Sequence, residues 1–511
     1  MSRTRRAGVA AAFGYLQFAL ALLTGIVLVP FILAQVGSQS YGVWLAFGEL
    51  LAYSSMVDLG VVGVLPWLLA EADGRGDRDA MREVLAGGIA FSCAAAAIFS
   101  ALALLLLHLA PGLAEIGPAE RAAVEGPVLL MIAGLALAFP LRAFYAAVIG
   151  LQDSTYVGTM SIAQVGLTAA LTVGGLIAGW GLYALAAAAC IPPVAVGIAS
   201  MARLRRIAPD LLRGWRLPPW VRLRAMTAQG FGSWTAGLGW RMVAASDSLV
   251  ILAVAGPAAA VVYAMTLKMG AVGMQMSWQL PDAGLVGLAQ LKGEGRPERV
   301  RQVVVSLLRV GMLGGGAVAC AMLAFNPGFV SLWVGPSRFG GLALNAMLAA
   351  VILAHTLSHV LSAAAATLGT RVEAGWTAVA QGALNLAAAF LLGRRFGMAG
   401  VAAAAVVSTA LIAYPAGVWM LRRTTGMTQR ELWADALGPW AARAGVLLAL
   451  GWAVGVLGTR TSPWVPLALA PGLGALYLWT MRPLYEGIPL PTRVHALLAR
   501  LRLVPAAGGA S

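Results

Sequence analysis

Seven ionisable side chains stand inside apolar stretches of this chain: Glu49, Asp58, Arg142, Arg241, Asp247, Lys268 and Asp282. A charge at the centre of a bilayer costs about 2.5–3.5 kcal/mol on insertion scales, so seven facing lipid would cost on the order of 20 kcal/mol. They must pair with one another or line a wet cavity. Their spacing favours a cavity. Lys268, Gln275, Gln279 and Asp282 fall close to one line on a helix of 3.6 residues per turn. Gln229, Ser233, Trp240 and Asp247 form a second stripe, Gln17, Thr24 and Gln35 a third, and His355, Ser358, His359 and Ser362 a fourth. Static ion pairs that knit helices together satisfy the same energetics, so both readings stand at this stage.

The elements that carry these residues are set by composition. The 511 residues are 60% hydrophobic and 11% charged. Mean hydropathy is +0.83. A soluble domain carries about 25% charged residues. Apolar runs long enough to cross a bilayer recur along the whole chain, which predicts an all-α, polytopic membrane protein. The runs divide into fourteen spans: 8–34, 39–69, 83–110, 122–150, 156–179, 182–204, 224–255, 258–288, 301–326, 339–369, 372–393, 398–421, 437–458 and 463–481. The first is too long for a cleaved leader and is expected to remain as an anchor.

With the N-terminus placed in the cytoplasm, 25 of the 35 Lys and Arg residues fall on the cytoplasmic side, 5 on the opposite side and 5 within spans. Positive charge collects on the inner face, so both termini are expected there. The net charge of +15 then serves topology and anionic headgroups, with no call for nucleic acid. Segments 207–222 and 492–504 mix arginines with Trp or Leu and read as amphipathic pieces lying on the membrane.

Spans one to six can be laid over spans seven to twelve. "FGY" at 13–15 matches "FGS" at 231–233, and "VGSQSYGVW" at 36–44 matches "AGPAAAVVY" at 255–263. Ile149-Gly150 matches Leu368-Gly369, and "GLYALAAAAC" at 181–190 matches "GMAGVAAAAV" at 397–406. The offset stays between 216 and 219. The predicted organisation is an N-terminal lobe over 1–206, an interfacial linker over 207–223 and a pseudo-symmetric C-terminal lobe over 224–423. Two extra spans over 424–482 and a cytoplasmic tail over 483–511 follow. Transporters built from such repeats place their site between the halves. At the offset of 219, Glu49 maps onto Lys268. Glu49 and Asp58 are therefore expected to answer cations across the lobe interface.

Several features call for no chemistry of their own. Cys93, Cys190 and Cys320 fall in three different spans without metal or redox spacing. "HTLSH" at 355–359 lacks the glutamate of a zinc-protease helix, so no metal is expected. No nucleotide motif or Ser-His-Asp set is visible, and the external loops are too short to present a catalytic constellation, which argues against an enzyme and a cofactor.

At "FILAQVGSQSYGVWLAF…MVDLGV" the chain resembles the polysaccharide-biosynthesis (O-antigen type) flippases of the multidrug/oligosaccharidyl-lipid/polysaccharide exporter superfamily. Gly37, Tyr41, Gly42, Trp44, Asp58 and Gly60 carry the likeness, followed by the polar loop "ADGRGDRDAMRE" and the Asp247 to Tyr263 segment. The resemblance implies translocation of an undecaprenyl-diphosphate-linked oligosaccharide across a bacterial inner membrane by alternating access. It implies that Arg142, Arg241 and Lys268, with Gln275 and Gln279, bind the substrate. Glu49, Asp58, Asp247 and Asp282 would serve gating or coupling to Na+ or H+. A polysaccharide polymerase is an expected partner. The alternatives are a multidrug or solute exporter of the same superfamily and a lipid II-type flippase.

Overall fold

The computed structural model describes residues 3–113, 118–213, 218–244, 246–293 and 296–485. The amphipathic segment predicted over 492–504, and most of the 483–511 tail, lie outside the described residues, as do residues 214–217 of the linker. The side chains of Gln229 and Ser233 lie outside them too.

Among the described residues the chain is helical throughout, with no strand. Twelve helical stretches are long and apolar enough to cross a membrane. In chain order the helices are α1 (Arg3–Ser54), α2 (Val61–Gly74), α3 (Arg78–Leu113), α4 (Pro118–Gly150), α5 (Ser154–Ile177) and α6 (Leu182–Ile207). Then come α7 (Trp220–Ala244), α8 (Asp247–Ala255), α9 (Pro257–Gly293), α10 (Pro297–Trp333) and α11 (Gly341–Thr367). The last five are α12 (Arg371–Ser408), α13 (Tyr414–Thr425), α14 (Gln429–Leu432), α15 (Gly438–Arg460) and α16 (Trp464–Tyr485).

Twelve stretches and fourteen predicted spans are reconciled by two glycines. The stretch Val372–Thr425 is 54 residues long, about 80 Å of helix at 1.5 Å per residue, far more than one bilayer crossing. It breaks at Gly397, whose φ of 61° a residue with a Cβ adopts only with strain. Helix α1 breaks the same way at Gly37, φ 75°. Beyond that break the second pass runs through a short turn of 3-10 helix at Ser55–Asp58 and on into α2.

The chain gathers into two compact units. The first holds Met1–Arg241 with Leu252–Val261, and the second holds Met242–Ile251 with Val262–Ser511. In the first, Leu65, Leu69, Met81, Leu85, Ala143, Leu204 and Leu211 form a core that joins α2, α3, α4 and α6. In the second, Leu288, Val304, Leu308, Val360, Ala365 and Leu421 form a core, and a further cluster of Met312, Cys320, Trp440, Leu447 and Tyr477 seats α15 and α16 on α10.

Each unit also carries one ion pair of the same design. Arg203 Nη2 lies 2.7 Å from Asp153 Oδ2 and its guanidinium stands over the Tyr156 ring. Arg423 Nη1 lies 3.3 Å from Glu373 Oε1 and its guanidinium stands over the Trp419 ring. The two partners are separated by 50 residues in both cases.

Candidate functional site

In the first unit the "DLG" of residues 58–60 makes a tight turn. Leu59 and Gly60 both have positive φ, 47° and 73°. The Gly60 N–H donates to Asp58 Oδ1 at 3.1 Å. Helix α7 presses on this turn: a Cβ at Gly60 would lie 2.7 Å from the Gly230 carbonyl oxygen, and one at Gly230 would lie 2.7 Å from the Leu59 carbonyl oxygen. Trp234 closes the contact by donating its indole N–H to the Met56 carbonyl at 2.6 Å. Asp58 also attracts Arg142 electrostatically, and the Arg142 guanidinium stands 4.7 Å over the Phe139 ring. The glycine of "YGVW" has a similar reason: a Cβ at Gly42 would collide with the Pro257 carbonyl. Gly42 and Gly60, which carry the family likeness in the sequence, stand where backbones approach closely.

In the second unit, Tyr263 donates its hydroxyl to Asp247 Oδ2, and Asp247 is buried. Asp282 does not share a cluster with Lys268, because fourteen residues of helix put them about 21 Å apart. His359 Nε2–H instead donates to Asp282 Oδ1 at 2.9 Å, and the His359 ring stacks on Trp278 with centroids 4.2 Å apart. Gln275 and Gln279 are exposed along the same helix. Lys268 is half-buried, and among the described residues it makes no hydrogen bond or ion pair. Arg241 is half-buried in the last turn of α7.

Asp58 and Arg142, which attract each other, belong to the same unit. Glu49 belongs to the first unit and Lys268 to the second.

The sequence reading passed over a buried amide network. Asn326 Nδ2 donates to the Thr266 carbonyl and to Asn345 Oδ1, both at 2.8 Å, and Asn345 Nδ2 donates to the Met322 carbonyl at 2.9 Å. Asn385 donates to the Met242 and Val243 carbonyls at 3.3 and 3.4 Å. The signal was present, since an amide inside an apolar run needs partners as a charge does.

No family model matches the chain, and no curated protein matches its sequence. Its fold does have solved counterparts. One is the inward-facing conformation of a multidrug resistance MATE family transporter of the MOP superfamily, at TM-score 0.64 and 14% identity, covering 80% of this chain and 94% of that one. The outward-facing conformation of a transporter so described matches at TM-score 0.54 and 15% identity, covering 82% and 93%. The lipid II flippase MurJ, in an inward closed conformation, matches at TM-score 0.62 and 8% identity, covering 92% and 98%. At such identities the likeness is one of fold: a polytopic helical membrane architecture shared by exporters and a flippase.

Proposed function

We propose that the chain is a flippase that carries an undecaprenyl-diphosphate-linked oligosaccharide across a bacterial inner membrane by alternating access. The observation that carries this reading is Lys268. A half-buried ammonium within a membrane helix, without a partner among the described residues, is held at a cost. Charge-assisted contacts to a diphosphate offset that cost whenever substrate is bound. Gln275 and Gln279, exposed farther along α9, suit the hydroxyl-rich glycan. Arg142, which attracts Asp58, and Arg241 are assigned to substrate binding as well. Glu49, Asp58, Asp247 and Asp282 serve gating or coupling to Na+ or H+.

The reach of the fold likeness supports a lipid-linked substrate. The match to the lipid II flippase takes in 92% of this chain, and that to the inward-facing MATE transporter 80%. Both termini are assigned to the cytoplasm from the arginine distribution. Cysteines placed at Ser337 and Ser462 then react with an impermeant reagent, and one at Ser2 requires a permeant one.

The function is tested by Arg142→Ala, Arg241→Ala and Lys268→Ala at matched protein level, reading surface polysaccharide and accumulated lipid-linked oligosaccharide. At least one variant abolishes export. Normal export by all three overturns the assignment. A second reading, export of cationic small molecules, is favoured by the buried Asp247–Tyr263 pair and by the MATE likeness. Dye efflux that is lost in Asp247→Asn, with polysaccharide unaffected, would decide for it.

A further inference from the structure

A cavity of about 590 Å³ opens in the second unit, between the first turns of α10 and the α14–α15 junction. Its wall carries two arginines, Arg301 and Arg309, against three carboxylates, Glu298, Glu431 and Asp435. The two arginines lie eight residues apart on α10, about 12 Å along the axis. Below Arg309 the helix is charged; above it, residues 310–333 carry no ionisable side chain except Cys320. The cavity therefore sits where the helix passes from polar to apolar surroundings. Trp433, 55% exposed, flanks it, as tryptophans do at a membrane interface.

The charges in this wall are fixed, and those of Arg309 and Asp435 enter no ion pair among the described residues. Arg309 spends Nε and Nη2 on the Asp435 backbone carbonyl, at 2.8 and 2.6 Å. Yet it makes no ion pair with the carboxylate of that same residue, which has no partner among the described residues. Arg301 is pinned by the Thr425 carbonyl at 2.9 Å, pairs loosely with Glu298 at 3.9 Å and attracts Glu431. Glu431 is pinned by the Thr428 backbone N–H at 2.6 Å and by its hydroxyl at 2.8 Å. A purely anionic ligand would meet a surplus of carboxylates. A ligand with both signs meets a guanidinium on one side and a carboxylate on the other, each with bonding capacity left. We infer that this cavity binds the headgroup of an amine-bearing phospholipid, its phosphodiester seated on Arg309 and Arg301 and its primary ammonium on Asp435.

The test uses the full-length protein in detergent, equilibrated with equal amounts of dioleoyl phosphatidylethanolamine and dioleoyl phosphatidylglycerol and examined by native mass spectrometry. The amine lipid is expected to be retained about tenfold over the glycerol lipid. Asp435→Asn is expected to erase that preference, and Arg309→Gln to lower retention of both. Because Arg309→Gln also removes a contact to the backbone, Asp435→Asn carries the decision if the arginine variant melts early. Soluble glycerophosphoethanolamine at millimolar concentration is expected not to displace the lipid. Equal retention of the two lipids in the wild type, or an unchanged preference in Asp435→Asn, overturns the site. Displacement by the soluble ester overturns its assignment to the membrane.

Discussion

The two compact units solve the same structural problem alike and treat their interior charges differently. Asp153–Arg203 in one and Glu373–Arg423 in the other are the same device at the same spacing, each with an aromatic ring beneath the guanidinium. Gly181 and Gly397 have nearly the same left-handed backbone, φ 53° and 61°. Inside the first unit, Asp58 is occupied by the Gly60 N–H and by Arg142. Inside the second, Lys268 is left without such company among the described residues. Asp58 thus has partners inside its own unit, whereas Lys268 has none among the described residues.

The comparison breaks most visibly at Gly60. Gly60→Val puts a branched side chain into positive φ and against the Gly230 carbonyl. Overpacking of this kind costs about 1–3 kcal/mol, with the backbone strain on top. Folded protein recovered from membranes is expected to fall severalfold, and Gly230→Val is expected to act alike. If either variant melts like the wild type, the turn is not the clamp described here.

Lys268→Met should do the reverse. It removes a charge that has no partner among the described residues, so the melting temperature holds or rises while the proposed transport is lost. A variant that loses stability and transport together would place Lys268 with the scaffold.

Asp58 and Arg142 sharpen the contrast through a double-mutant cycle. Asp58→Asn and Arg142→Gln are each expected to destabilise, and the double variant by less than their sum, with a coupling of roughly 0.5–3 kcal/mol. Additive effects would mean that the attraction does nothing for the fold. The smallest effect is expected at the repeated ion pairs, where exposed pairs contribute about 0–1 kcal/mol. Arg203→Ala should lower the melting temperature more than Arg423→Ala, because side-chain exposure is 39% and 20% for Arg203 and Asp153 against 61% and 37% for Arg423 and Glu373.

The helices were legible in the sequence because a bilayer demands long apolar runs, and hydropathy reads them directly. The expectation of a repeat rests on a nearly constant offset in the sequence. The kink at Gly397 was marked only by the split between two predicted spans. The site was less legible. Helical periodicity put Lys268 and Asp282 on one stripe, but a stripe gives direction and not reach, and His359 from α11 takes Asp282. Asp58 was read as charge in search of a cation, whereas the backbone N–H of Gly60, two residues on, is one of its partners. Side-chain-to-backbone bonds of that kind leave no trace in hydropathy. Asn326, Asn345 and Asn385 were overlooked because amides carry no charge to draw notice, although burial binds them by the same rule.

The break at Gly397 has a consequence for how the chain is made. A nascent segment running from Val372 to Thr425 reaches the insertion machinery as one helical stretch of 54 residues, and the number of times it crosses sets the side on which everything after it emerges. With the bend, two crossings return α14 to the side on which α12 began. Without it, a single tilted crossing would deliver α15, α16 and the tail inverted. Arg394 and Arg395, just ahead of the bend, mark the point at which the chain must turn back. The bend at Gly397 is thus expected to set the side on which α15 and α16 emerge, and a reporter fused after Tyr485 would register its loss as a change of compartment.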